Sequence, residues 1–182
     1  MPIEMIIIVV VLIVFAIVVW TIGTSNRFKK MAIKIDEADS GIDVALNKRY
    51  DTLTKLQNVV RSYAKHEKDV LSSVTQMRTG MGIAEKQQIN RQLDEAMRSM
   101  NVMVENYPEL RSNENYLQLQ DSIREVEDHL QAARRVYNMN ISTFNQSIAV
   151  FPASIIANHQ HLKPREFFEV DEGKREDVVI DL

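Results

Sequence analysis

The residues best suited to hold a metal ion are the four histidines, and two of them, His159 and His161, stand two apart. Side chains at that spacing point to different sides of a helix, so only a loop brings them together. A closed metal site wants about four ligands, and no further His and no Cys lies nearby in the chain. We therefore expect no metal there. His66 and His129 stand alone and read as ordinary helix residues. Asp36, Glu37, Asp39 and Asp43 form an acidic cluster. It reads as a solvated helix face or a ring of contacts between subunits, because a catalytic carboxylate pair needs a cleft and nothing here suggests one. Cys is absent, which removes thiolate catalysis, disulfides and Cys-based zinc sites. No Gly-rich phosphate loop, nucleophile motif or zinc signature occurs. Asn140-Ile-Ser142 and Asn145-Gln-Ser147 match glycosylation acceptors but fall in the middle of a helical pattern and read as chance. The expectation is no enzyme and no cofactor.

Two other features carry physical weight. Arg49 falls on an apolar stripe, at the heptad position shared by Ile35, Ile42, Leu56 and Tyr63. A charge there must be paired or must reach water. Buried polar groups can fix the register between helices, so Arg49 is a candidate for orienting a helix pair or a seam between subunits. Lys163-Pro164-Arg165-Glu166-Phe167-Phe168 places two aromatics after a proline-stiffened turn. Either a Phe pins the chain end onto its own bundle, or the segment docks on a partner.

The elements that carry these residues start with Ile3 to Ile22, IEMIIIVVVLIVFAIVVWTI, whose one charge, Glu4, lies at the edge. As a helix it is about 30 Å long, enough to cross the hydrocarbon core of a bilayer. Trp20 falls near one end, where an amphipathic ring suits the interface. A cleaved signal peptide would want a basic n-region, a shorter core and a small-residue cleavage site. Met1-Pro2 and Gly23-Thr-Ser-Asn26 offer none of these, so an uncleaved anchor is expected. Arg27, Lys29, Lys30 and Lys34 follow the span, and no basic side chain precedes it. The positive-inside rule then places the N-terminus outside and the rest in the cytoplasm, at the inner membrane of a cell.

The remaining chain suits a single domain. Its formal net charge of −3 supplies no global basic field, so nucleic acid is not an expected partner. With only 5 Gly and 4 Pro, few long elements are expected. Helical spacing runs from Ile35 through Ala38, Ile42, Ala45, Leu46, Leu53, Leu56, Val60 and Tyr63 to Val70, Val74 and Met77. This predicts one helix leaving the membrane and continuing to about Arg78, with room for a kink at Gly23. Thr79-Gly80-Met81-Gly82 reads as its stop. A second helix carries Ile89, Leu93, Ala96, Met100, Met103 and Tyr107 on one face, and Pro108 ends it or marks its last turn. Ser112 or Asn113 caps a third, with Leu119, Ile123, Val126, Leu130, Ala133, Tyr137, Ile141, Phe144, Ile148 and Phe151 on its stripe. Pro152 interrupts it, and a short fourth helix runs over 153–158. The fold class is all-α: a transmembrane helix continuing into a long antiparallel bundle. The divisions are an anchor over 1–26, the bundle over 27–170 and an acidic flexible tail over 171–182.

The lengths add an expectation. The soluble part of the first helix spans roughly 75 Å, the second roughly 35 Å and the third roughly 50 Å. With tight turns, the second covers only the distal half of the first. Ile33, Ile35, Ala38, Ile42 and Leu46 would then lack an intramolecular partner, and Arg49 follows them on the same helix. An uncovered apolar stripe usually finds another chain, which predicts a homo-oligomer joined, coiled-coil fashion, through residues 33–50.

The chain also resembles a known family. Ala38-Asp-Ser-Gly-Ile-Asp-Val-Ala-Leu-Asn-Lys-Arg-Tyr-Asp51 and Val59-Val-Arg-Ser-Tyr-Ala-Lys-His-Glu-Lys-Asp-Val-Leu71 look like the signature of the LemA family. So do Tyr107-Pro-Glu-Leu-Arg-Ser-Asn-Glu-Asn-Tyr-Leu-Gln-Leu-Gln120, Ala132-Ala-Arg-Arg-Val-Tyr-Asn138, Phe151-Pro152 and Lys163-Pro-Arg-Glu-Phe-Phe-Glu169. The family's basic dipeptide before Tyr is present as Lys48-Arg49. Its common Pro after Tyr50-Asp51 is replaced by Thr54-Lys55-Leu56, which implies a straighter first helix. The resemblance implies a bacterial single-pass membrane protein with a helical bundle, without established catalysis. It also implies ties to membrane organisation and to membrane proteases or signalling. Together these expectations describe a non-enzymatic scaffold that self-associates on a lipid bilayer and organises or shapes it. The alternative is an adaptor regulating a membrane protease or signalling complex.

Overall fold

A computed structural model describes residues 3–63, 71, 74 and 80–169. Five helices follow in order: α1 Ile3–Tyr63, α2 Ile83–Glu105, α3 Pro108–Arg111, α4 Glu114–Ala149 and α5 Ala153–His159. Among the described residues there is no strand. α1 runs through Gly23 without interruption. The expected continuation of this helix to Arg78 lies mostly outside the described residues. Within them, Leu71 and Val74 are buried in a turn and a bend. His66 and the 171–182 tail also lie outside.

The helix boundaries have local causes. Gly80 takes φ +84°, the left-handed region that glycine enters without a Cβ clash. Glu85 then accepts from the backbone N–H of Gly82 at 2.9 Å, satisfying a donor at the head of α2. Pro108 does not end α2. It opens the short α3, a position that needs no N–H. Asn113 caps α4: its Oδ1 accepts from the N–H groups of Asn115 at 2.9 Å and Tyr116 at 3.2 Å.

The chain divides into two compact units, Met1–Ala38 with Asn138–Glu166, and Asp39–Tyr137 with Phe167–Leu182. In the first, Phe28, Ile35 and Ala38 of α1 are buried, as are Ile141, Phe144 and Ile148 of α4 and Ile156 and Ala157 of α5. Asn140 Nδ2 donates to the Lys34 carbonyl at 3.1 Å, which sets α4 beside α1. Gln160 Nε2 donates to Ser25 Oγ at 2.7 Å and holds the end of α5 to α1. From Ile3 to Trp20 every side chain is exposed, and as far as Val19 this end of α1 has no cover among the described residues.

In the second unit, α1 contributes Ile42, Leu46, Leu53, Leu56 and Val60 to the core. From α2 come Ile89, Leu93, Ala96, Met100 and Val104, and from α4 Tyr116, Ile123, Val126, Leu130 and Tyr137. Contacts fix the directions. Lys86 meets Asp39 and Asp43, while Asn90 and Asp94 meet Arg49. Higher numbers on α2 thus face higher numbers on α1, so the two run parallel. The expected antiparallel pairing of these two helices is incorrect. α4 does run back against α1, since its start meets Tyr63 through Asn113 at 2.7 Å and its Glu127 meets Arg49.

The parallel course overturns the uncovered stripe. α2 starts at the level of Asp39, not at the distal end, and so lies along the region expected to be bare. Ile42 and Leu46 are wholly buried, and Ile35, Ala38 and Arg49 are 9% exposed or less, all within one chain. These five residues assigned to an oligomer interface are core, whereas Ile33 at the start of the same stretch is 57% exposed.

Candidate functional site

Arg49 connects several helices of the second unit. Its Nη1 donates to Asn90 Oδ1 at 2.6 Å, and its Nη2 donates to Asp94 Oδ1 at 2.5 Å. Nη2 also lies 2.6 Å from Glu127 Oε1. Its Nε is buried without a hydrogen-bond partner. One guanidinium fork thereby joins three helices, and only a planar group with several donors can do so. The sequence expectation that a charge on this stripe must be paired is met within the chain. Lys86 is the second such group. Its Nζ donates to Asp39 Oδ1 at 2.7 Å and lies 2.6 Å from Asp43 Oδ1, with its stem fully covered. A buried ammonium is costly unless paired, and two carboxylates one helical turn apart supply the pair.

The acidic cluster is therefore not simply a solvated face. Asp39 and Asp43 are used by Lys86, and Asp36 pairs with Arg165 at 2.8 Å. Lys86 was the missed signal: it stands on the apolar stripe of α2, three residues before Ile89, where a lone cation demands carboxylates opposite.

Lys48 and Glu125 form an exposed rung between α1 and α4 at 3.1 Å. The hydrogen bond from Lys48, together with its charge, holds the Glu125 carboxyl below the ordinary glutamate range. A lowered folded value means the rung contributes above the unfolded pKa and is lost as pH falls through the folded one. Lys48→Met is expected to raise the Glu125 titration midpoint toward that of a free glutamate, read by carbon-detected NMR. An unmoved midpoint would show that Lys48 is not the cause.

The Lys163–Phe168 segment is divided in its roles. Arg165 exchanges two hydrogen bonds with the Asn145 amide, each 2.9 Å, and its guanidinium lies 5.8 Å from the Phe144 ring centre. Phe168 is buried, with the Arg134 guanidinium 4.7 Å from its ring centre. Gln87 Nε2 donates to the Phe167 carbonyl at 3.2 Å, yet the Phe167 ring, Lys163 and Pro164 stay exposed. His159 closes α5 and His161 follows it at φ +54°. Among the described residues no three His, Cys, Asp or Glu gather in a metal-binding group.

The first unit also holds an open groove of about 400 Å³ between α1 and the α4–α5 corner. It is lined by Trp20, Thr24, Arg27 and Phe28 on one side and by Gln146, Ser147 and 150–153 on the other. Phe151 was expected on the buried stripe of α4. It is instead 76% exposed, because the helix ends at Ala149 and Pro152 turns the chain.

These features define a class: an all-α protein with helices keyed by interhelical charges, and one helix long and apolar enough to cross a membrane. The chain belongs to the LemA family, whose model matches residues 38–182. It is similar to Protein LemA of Metamycoplasma hominis, with 28% identity over 162 residues, covering 86% of this chain and 74% of that one.

Proposed function

We propose that this protein is a non-enzymatic, membrane-anchored structural protein that crosses the bilayer once through Ile3–Ile22 and organises or shapes the membrane. The carrying observation is the exposed apolar surface of α1 from Ile3 to Trp20, which lies open along nearly all its length among the described residues and matches a hydrocarbon core in length. Arg27, Lys29, Lys30 and Lys34 support a cytoplasmic bundle with the N-terminus outside, at the inner membrane. Arg49, Lys86, Asp39, Asp43 and Asp94 are engaged in pairs that hold helices together, and Asp36 holds the segment after α5 through Arg165, which supports a structural rather than a catalytic use. Copies confined to one membrane plane meet at high effective concentration. Self-association belongs to this reading, through surfaces other than the buried stripe.

The mass of the intact protein in mild detergent tests it. A discrete high-order particle supports the scaffold. A monomer that pulls down no further copies in native membranes overturns it. In that case an adaptor for a membrane protease or signalling complex gains weight. The observation favouring that second reading is that the Phe167 ring and Lys163 are each exposed, on a segment whose Arg165 and Phe168 are already fixed.

A further inference from the structure

We infer that the α4–α5 corner is a second, non-spanning membrane contact, and that the groove behind it seats an anionic phospholipid of the same leaflet. The inference rests on the reading of Ile3–Ile22 as a span. Three observations carry it. The corner exposes Val150, Phe151 and Ile155 at 60%, 76% and 59%, while the same short helix buries Ile156 and Ala157. One side of the corner thus holds it in the fold and the other is apolar and open. Its height is fixed, since the corner shares a groove with Trp20 and Thr24 and α5 is tied to Ser25 by Gln160. Trp20 to Thr24 covers about 6 Å of helix, and the headgroup zone on each side of the hydrocarbon core is about 5–7 Å deep. The exposed apolar corner therefore lies at interface depth, continuous with the apolar surface of the span.

The groove specifies its occupant by charge. Arg27 is its one ionic lining residue, and Lys29 and Lys30 are exposed in the next turn. The floor is Phe28, with Trp20 and Phe151 beside it. An acyl chain lies against the aromatic rings, and its phosphate meets Arg27 with Gln146 within the polar rim. A guanidinium suits a phosphate better than a point charge does. The arrangement resembles an interfacial anchor added to a span, with apolar residues in the acyl boundary and cations at the headgroups.

The test uses the full chain in lipid nanodiscs of mixed zwitterionic and anionic phospholipid with brominated acyl chains. Trp20 is the sole tryptophan, so its quenching in the parent protein reports the span. Phe151→Trp combined with Trp20→Phe reports the corner. We expect both indoles to be quenched. Quenching of Trp20 alone overturns the corner contact and leaves the span standing, whereas loss of both removes the span as well. Helical circular dichroism equal to the parent's shows that the double variant is folded. For the groove, lipid co-isolated with the protein is measured by native mass spectrometry. Anionic lipid is expected to be enriched, and Arg27→Gln to reduce that enrichment about fivefold, the share of one basic group at an anionic surface. Enrichment equal to the disc composition, or unchanged by Arg27→Gln, overturns the lipid site.

Discussion

Arg49→Leu is expected to lower stability by about 3–5 kcal/mol, the range for removing one partner of a buried ion pair. The substitution leaves Asp94 and Glu127 facing each other without their shared cation and strips the Asn90 amide of its donor. The loss exceeds the net worth of the pair, because orphaned charges keep their desolvation cost. Two controls separate these contributions. Arg49→Lys retains a charge but loses the fork, and it should fall between parent and Leu. Adding Asp94→Leu and Glu127→Leu to Arg49→Leu should recover much of the loss, since an apolar trio leaves no charge unpaired. Thermal melting of the full chain in detergent, followed by circular dichroism, reads all three. A shift of about 10 °C is expected for the single Leu variant. An unchanged melting temperature would mean that the guanidinium is not holding the helices.

Leu46→Ala carries the second large effect, about 2–5 kcal/mol for a core leucine whose cavity cannot fully collapse. Val44→Ala, on the same helix but 67% exposed, should change stability by less than about 0.5 kcal/mol. The contrast discriminates core from interface. As core, Leu46 lowers the unfolding midpoint at every protein concentration. As the centre of a subunit interface, its truncation would reduce particle mass and leave the monomer's midpoint unchanged. That second outcome would restore the oligomer seam over residues 33–50.

These two residues also show what the sequence made legible. The stripe through Ile35, Ile42, Leu46 and Arg49 was readable because a 3.6-residue period marks which face is apolar. The cap at Asn113 and the short helix after Pro152 were readable from local chemistry. A period marks a face but carries no direction, however. Whether α2 runs with or against α1 depends on the chain between Tyr63 and Gly80, where the helical spacing continues through Val70, Val74 and Met77 and no Gly or Pro marks a turn before Gly80. Assuming a tight reversal put α2 beside the wrong half of α1. The charges held the missing information: Lys86 opposite Asp39 and Asp43 sets the level of α2, and Asp94 opposite Arg49 one to two turns on sets its parallel direction. The same holds for the acidic cluster, whose members read as solvent-facing until Lys86 and Arg165 are given places. Phe151 failed for a different reason. It continues the spacing of the α4 stripe, but Pro152 turns the backbone and the period no longer describes where the ring points.

The burial of Ile42 and Leu46 has a consequence for the order in which the protein is made. α2, which lies along this region, emerges from the ribosome about 40 residues later, and α4, which meets neighbouring Arg49 through Glu127, completes the core about 80 residues later, some 4–16 s at ordinary rates of synthesis. By then the apolar start of α1 is already available to the membrane. Nascent neighbours on one polysome thus display bare stripes side by side. The contact that the finished fold forbids is open to unfinished chains, so crowded synthesis favours mispaired copies, and the arrival of α4 is the step that closes that route.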